Sequence, residues 1–204
     1  MVHYNIFLMN FLPYEVYHIY NRGNNKQKVF FSDENYLFFL KKIGTQIKPY
    51  CDILCWCLMP NHFHLIISTN EESCKLRKAF GSTSIQELSY RIGILLSTYS
   101  QAINNQNKST GSLFQQKTKS KILSIKQNLY SPDDYIVNCM HYCHKNPIEA
   151  GLVKKIEEWP YSSFLDYCGL RKGKLCNKDL MMELSGYDLE NFYEDTYRVS
   201  GTGY

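Results

Sequence analysis

Alternation of apolar and polar positions marks the first interpretable segment of the chain. Glu15–Arg22 sets Val16, His18 and Tyr20 against Tyr17 and Ile19, a period of two that predicts a strand ending at Gly23. The period then lengthens. After Ser32 or Asp33, either of which can cap a helix, Tyr36, Leu37, Leu40, Ile43 and Ile47 recur at helical spacing to about Lys48, and Pro49 stops the run. Two apolar stretches, Cys51–Met59 and His62–Ser68, flank Pro60-Asn61 and predict a hairpin. A second helix is predicted after Ser82-Thr83-Ser84. Ser84 and Glu87 are spaced as a capping box, and Leu88, Ile92, Leu95, Leu96, Tyr99 and Ile103 form its apolar face. Leu113–Leu123 returns to alternation, with Lys117, Lys119 and Lys121 on one side. A third helix begins at Ser131-Pro132, takes Asp133 and Asp134 into its first turn, and carries Tyr135, Val137, His141, Tyr142 and His144.

The order βαββαβ predicts an α+β fold: a ferredoxin-like antiparallel sheet with helices on one face, plus a C-terminal helix carrying Tyr142. From Trp159 the pattern weakens, so the expected organisation is a domain over 14–165 and an appended segment over 166–204. A chain of 204 residues can bury one sizeable core. No apolar run approaches the roughly 18 residues of a membrane span. Met1–Phe11 has neither a basic n-region nor a small-residue cleavage site. The expectation is a soluble cytoplasmic protein. Its eight cysteines include no CxxC pair and read as reduced thiols packed as small hydrophobes.

The net charge is only +4, but its placement is uneven. Residues 61–130 hold 9 Lys/Arg against 3 Asp/Glu, whereas residues 131–204 hold 8 against 12. From Leu88 to Pro132 there is no acid, while Arg91, Lys108, Lys117, Lys119, Lys121 and Lys126 are basic. Such a stretch reads either as a localised phosphate-binding surface or as a solvated lysine face balanced by the acidic tail.

Candidate chemistry concentrates in two places. In His62-Phe63-His64 the two imidazoles are two apart on a predicted strand and project side by side. They are half of a metal site, or two half-exposed strand histidines. Tyr142 and Asn146 are four apart and share a helix face if the helix persists. Pro147 disfavours helical geometry at Asn146, which would instead cap a new helix beginning at Pro147. His18 could face the same site or pack within the sheet, and Arg22 beside Gly23 could bind phosphate or flank a turn. Tyr14, Tyr17, Tyr20, Tyr161 and Tyr167 offer rings for base stacking or for ordinary packing; Tyr135 reads as core. Cys55 and Cys57 with His62 and His64 have the donor types of a tetrahedral zinc site, provided that the two strands bring all four together.

Met59-Pro60-Asn61-His62-Phe63-His64-Leu65, followed by Tyr142-x-x-x-Asn146-Pro147 and Ala150-Gly151-Leu152-Val153, resembles the single-tyrosine HUH transposases, in particular the REP-associated tyrosine transposases. Tyr17-His18-Ile19 with Asn21-Arg22-Gly23, Gly111-Ser112-Leu113-Phe114-Gln115 and Trp159-Pro160-Tyr161-Ser162-Ser163 extend the likeness over roughly residues 14–165. The resemblance implies metal-dependent cleavage and rejoining of single-stranded DNA, hairpin-bearing in this family. His62 and His64 would hold Mg²⁺ or Mn²⁺, Asn146 would be the third ligand, and Tyr142 the nucleophile forming a 5′-phosphotyrosine link. Arg22, Lys117, Lys119 and Lys121 would contact the DNA backbone. The insertion-sequence branch has glutamine four after the tyrosine, where this chain has Asn146. Family members act as monomers or homodimers. Two other readings stay open: a non-catalytic single-stranded nucleic-acid-binding module on the same sheet, and a domesticated member that cleaves without transposing.

Overall fold

The computed structural model describes residues 9–79, 83–124 and 132–199; Lys126, Ser82 and Ser131, which entered the sequence-based expectations, lie outside them. Seven residues of alternating sequence form β1 (Val16–Arg22). Helix α1 (Asp33–Lys42) follows and runs on through a wide turn at Ile43–Ile47. Strands β2 (Cys51–Met59) and β3 (His62–Thr69) make the hairpin. A short α2 (Glu71–Cys74) and a two-stranded ribbon of β4 (Leu76–Lys78) and β5 (Ser84–Gln86) lead into the long α3 (Glu87–Asn107). Strand β6 (Lys119–Ile122) closes the main sheet, and α4 (Pro132–Glu149) crosses behind it. Three short helices follow among the described residues: α5 (Phe164–Tyr167), α6 (Lys178–Ser185) and α7 (Phe192–Arg198).

The sheet order is β2-β3-β1-β6, with every neighbouring pair antiparallel. This is the ferredoxin-like order, in which each helix crossover returns the chain two strands away. Both faces are covered. Tyr17, Ile19, Leu58, Phe63, Leu65 and Ile67 face α1 and α3. Val16, Cys55, Cys57, Met59 and Ile66 face α4, where they meet Tyr135, Ile136, Cys139, Met140 and Cys143, with Met181 of α6 and Phe192 of α7 closing the far side. A bulge between Ile53 and Cys55 switches β2 from one face to the other, which strict alternation would not predict.

Three expectations need correction. The Ser84–Glu87 capping box does not form. Ser84 belongs to β5, and Glu87 binds Arg91 at 2.6 Å and Arg77 at 3.2 Å. The ribbon's pairing thus sets the start of α3. The lysine-bearing strand is shorter than 113–123: residues before Lys119 are held by other means, including a bridge from Phe114 to Gly23. Leu37, although in phase with the apolar positions of α1, is 60% exposed, because the sheet takes only the Tyr36–Phe39–Ile43 side.

Candidate nucleic-acid cleavage site

Register across the sheet builds the floor of the site row by row. Arg22, His62 and Met59 lie in one row, Lys119, Tyr20, His64 and Cys57 in the next, and Lys121, His18, Ile66 and Cys55 in the third. All these side chains project from the α4 side, since residues two apart on a strand share a face. Helix α4 supplies the roof. Tyr142 lies over His64, ring centroids 5.7 Å apart and nearly perpendicular, and the His62 and His64 rings are 4.9 Å apart. A cavity of about 340 Å³ opens between floor and roof, lined by Tyr20, Asn21, Arg22, His62, His64, Gln115, Lys117, Lys119 and Tyr142. Among the described residues, three cations and no carboxylate line it.

Asn146 caps no new helix. Helix α4 continues through Pro147, and Asn146 Nδ2 donates to the Tyr142 carbonyl at 2.8 Å within it. Neighbouring turns and the packed sheet hold Asn146 helical despite the proline's local bias. The carboxamide therefore stands beside His62, His64 and Tyr142. Its contacts favour the protonated imidazoles and the ionised phenol, in each case against a larger effect of burial. Burial lowers His62 to about 4 and holds His64 well below the ordinary imidazole value, an effect to which its neighbours His18 and His62 add. Both imidazoles are thus neutral near pH 7, the state in which a ring nitrogen can bind a cation. Burial likewise raises the Tyr142 phenol above its ordinary value, so its ionisation requires nearby positive charge.

The histidines are held from behind. His62 Nδ1 lies 2.6 Å from Asn61 Oδ1, and Asn61 Nδ2 donates to the Lys26 carbonyl at 3.3 Å, which fixes the orientation of that amide. An amide oxygen only accepts, so His62 carries its proton on Nδ1 and leaves Nε2 bare. His64 Nδ1 meets His18 Nε2 at 2.8 Å, and the buried His64 Nε2 has no hydrogen bond of ordinary geometry among the described residues. Two imidazole nitrogens and a carboxamide oxygen are a donor set that fits a divalent cation. Sequence reasoning did not single out Asn61, although it stands inside the Met59–Leu65 motif; its role depends on the turn at Pro60-Asn61.

Other candidates separate from this group. Lys121 packs over the Tyr135 ring at 5.0 Å and is not among the residues lining the cavity, whereas Lys117, ahead of β6, is. Tyr17 is buried and accepts from the Leu12 N–H, Tyr161 stacks on Tyr36 at 3.8 Å, and Tyr167 is buried; Tyr20 is the member of the stacking set that reaches the cavity. The Cys55/Cys57/His62/His64 zinc grouping does not assemble. Cys57 sits level with His64, but Cys55 lies a row deeper, 3.3 Å from His144 Nε2 and within 3.5 Å of Ser163 Oγ. A different trio does: donor atoms of His18, Cys139 and Cys143, all buried, lie within 4.8 Å of one another. His18 Nε2 is nonetheless nearer His64, at 2.8 Å, than Cys143 Sγ, at 3.9 Å.

No family model matches the chain. A solved structure of a REP-associated tyrosine transposase bound to a REP hairpin is similar in fold, with a TM-score of 0.56 at 16% identity over 83% of this chain and 86% of that one. In sequence, the chain is 24% identical over 110 residues to a Haemophilus influenzae protein named as a REP-associated tyrosine transposase, covering 53% of this chain and 56% of that protein. The chain is similar to the REP-associated tyrosine transposases. It spans about half the length of the curated relative it matches. The arrangement has a simple logic: residues far apart in sequence, on β1, on β3 and on α4, share one cavity. The Trp159–Ser163 segment supports it from below, with Ser163 Oγ accepting from the Trp56 N–H at 3.0 Å and the Trp159 indole donating to the Leu58 carbonyl at 3.1 Å.

Proposed function

We propose that this protein is a metal-dependent single-stranded DNA endonuclease and strand transferase of HUH type, working in the cytoplasm on hairpin-bearing DNA as a monomer or homodimer. The observation that carries the reading is the meeting of Tyr142 with the His62/His64 pair in a cavity whose rim holds Arg22, Lys117 and Lys119. His62, His64 and Asn146 would hold Mg²⁺ or Mn²⁺; the bare Nε2 of His62 and the buried His64 Nε2, which makes no hydrogen bond of ordinary geometry among the described residues, support that fit. Such a cation, when bound, supplies Lewis-acid polarisation of a phosphoryl oxygen.

The chain's own groups do the rest. Arg22, Lys117 and Lys119 hold the strand by its phosphates, and Tyr20 offers a ring for an unpaired base. The Tyr142 oxygen gives up its proton and forms a bond to phosphorus. The P–O3′ bond breaks, and the departing oxygen takes a proton to become a free 3′-OH. The phosphodiester survives as a 5′-phosphotyrosine link, so a 3′-OH can reverse the step and rejoin strands. The positive rim stabilises negative charge that builds on the phosphoryl oxygens.

The test is incubation with hairpin-bearing single-stranded DNA and Mg²⁺ or Mn²⁺, followed by denaturing electrophoresis. A denaturation-resistant adduct is expected. Tyr142→Phe should abolish it while binding persists, and His62→Ala or EDTA should abolish cleavage in a folded protein. An adduct formed by Tyr142→Phe removes that residue as nucleophile. Tight binding without any cleavage by the wild type would leave the non-catalytic module.

A further inference from the structure

We infer that His18 is a positioning residue for the proposed metal-binding pair: its Nε2 accepts a hydrogen bond from His64 Nδ1 and holds His64 in the tautomer whose Nε2 lone pair faces the cavity. The inference rests on the proposed function of that site. Two ring nitrogens facing each other at 2.8 Å need one proton between them. If His18 donated it, neutral His64 would carry its own proton on Nε2, a buried N–H without a hydrogen bond of ordinary geometry among the described residues. If His64 donates, its Nε2 presents a bare lone pair, which a cation can satisfy. The second arrangement repeats what Asn61 does for His62 at 2.6 Å, where the acceptor is unambiguous. A histidine that binds a metal through one nitrogen characteristically donates from the other, and that outer partner sets ring orientation and basicity.

The surroundings of His18 suit this role. It is 3% exposed, one row deeper in the sheet than His64, and stacked on Tyr20 with centroids 4.8 Å apart. Cys139 and Cys143 close the other side of the ring, with Cys139 within hydrogen-bond reach of it. The imidazole thus has little room to turn away from His64. The thiols are the far wall of this contact, which accounts for the His18–Cys139–Cys143 cluster without a second ion.

Mn²⁺ binding measured by electron paramagnetic resonance, on folded variants checked by circular dichroism, separates this role from core filling. His18→Met keeps bulk but removes the acceptor; His18→Gln places an amide oxygen near the Nε2 position. His18→Met should weaken Mn²⁺ binding about 10–100-fold, with His18→Gln within about threefold of wild type. Equal binding by His18→Met and wild type overturns the inference, as does equal weakening by Met and Gln. The underlying site reading fails separately if wild type binds no Mn²⁺, or if His64→Ala binds it unchanged. Should His18→Met not fold, imidazole ¹⁵N–¹H correlation spectra of the wild type decide the matter. His64 is expected to be protonated at Nδ1 only, and a proton on Nε2 with a bare Nδ1 overturns the proposal.

Discussion

His141 and Tyr142 are neighbours on α4 and look into different surroundings. Tyr142 opens on the cavity, whereas His141 is buried against Phe192, with its Nδ1 at 2.8 Å from Thr196 Oγ1. Burial, helped by the nearby His144, lowers His141 to about 4. The unfolded chain binds this proton near pH 6.5 and the folded one only near 4, so stability is complete above the higher value and falls as the pH drops between them. The loss from this one ring approaches about 3 kcal/mol at the acid end. Urea titrations at pH 7.5 and pH 5 should show the decline, and His141→Gln should reduce it, leaving the share of the same sign from His62 and His64; an unchanged pH dependence in that variant would count against His141 as a source. Which of the α4 residues would face the sheet was only partly legible in the sequence. The strand period placed His62 beside His64 directly, because two residues on one strand need no partner to define their shared face. Asn146 was not readable in the same way, since Pro147 favours a break there and only packing against the sheet overrides it.

At the scale of elements, the long, strongly periodic segments were legible and the short ones were not. β1, the β2–β3 hairpin and the apolar face of α3 follow from their patterns. The three-residue strands β4 and β5 carry too little pattern to announce themselves, and with them went the start of α3. The bulge in β2 depends on its partner strand and leaves no local mark. The turn after β1 shows how tightly one junction is drawn. Gly23 donates to the Asn61 carbonyl at 2.8 Å, linking the β1 end to the turn that precedes His62. A Cβ at Gly23 would lie 2.2 Å from the Gln27 carbonyl oxygen and 2.9 Å from Val29 Cγ1. Since the nearer atom is backbone, the loop must move rather than a side chain. Gly23→Ala should therefore cost about 1–3 kcal/mol and lower the melting temperature by several degrees, on the order of 2–4 °C per kcal/mol for a chain of this size. A melting curve matching wild type would mean that the loop yields freely.

For the whole molecule, the question is where the positive charge goes. Composition alone could not separate a phosphate-binding surface from a lysine face balanced by the acidic tail, because that choice depends on which residues the fold gathers. The basic middle segment divides. Arg91 is held by Glu87 at 2.6 Å and lies over the Tyr50 ring, away from the cavity, whereas Lys117 and Lys119 reach the cavity beside Arg22. Carboxylates of the C-terminal segment are occupied elsewhere: Glu157 accepts from Tyr193 and Tyr197, Asp195 from Tyr187, and Asp166 pairs with Arg171. Among the described residues, no carboxylate lines the cavity beside these cations, where the proposed phosphate backbone would lie. Binding of single-stranded DNA should weaken with salt, and removing one lysine from its phosphate should reduce the slope of log K against log salt by about 0.7. The Lys117→Ala/Lys119→Ala double variant should accordingly flatten that slope by roughly 1.4, while Arg91→Ala leaves it unchanged. Fluorescence anisotropy across a salt series measures both, and an Arg91→Ala effect as large as that of the double variant would move the DNA path off this cavity and onto the α3 surface.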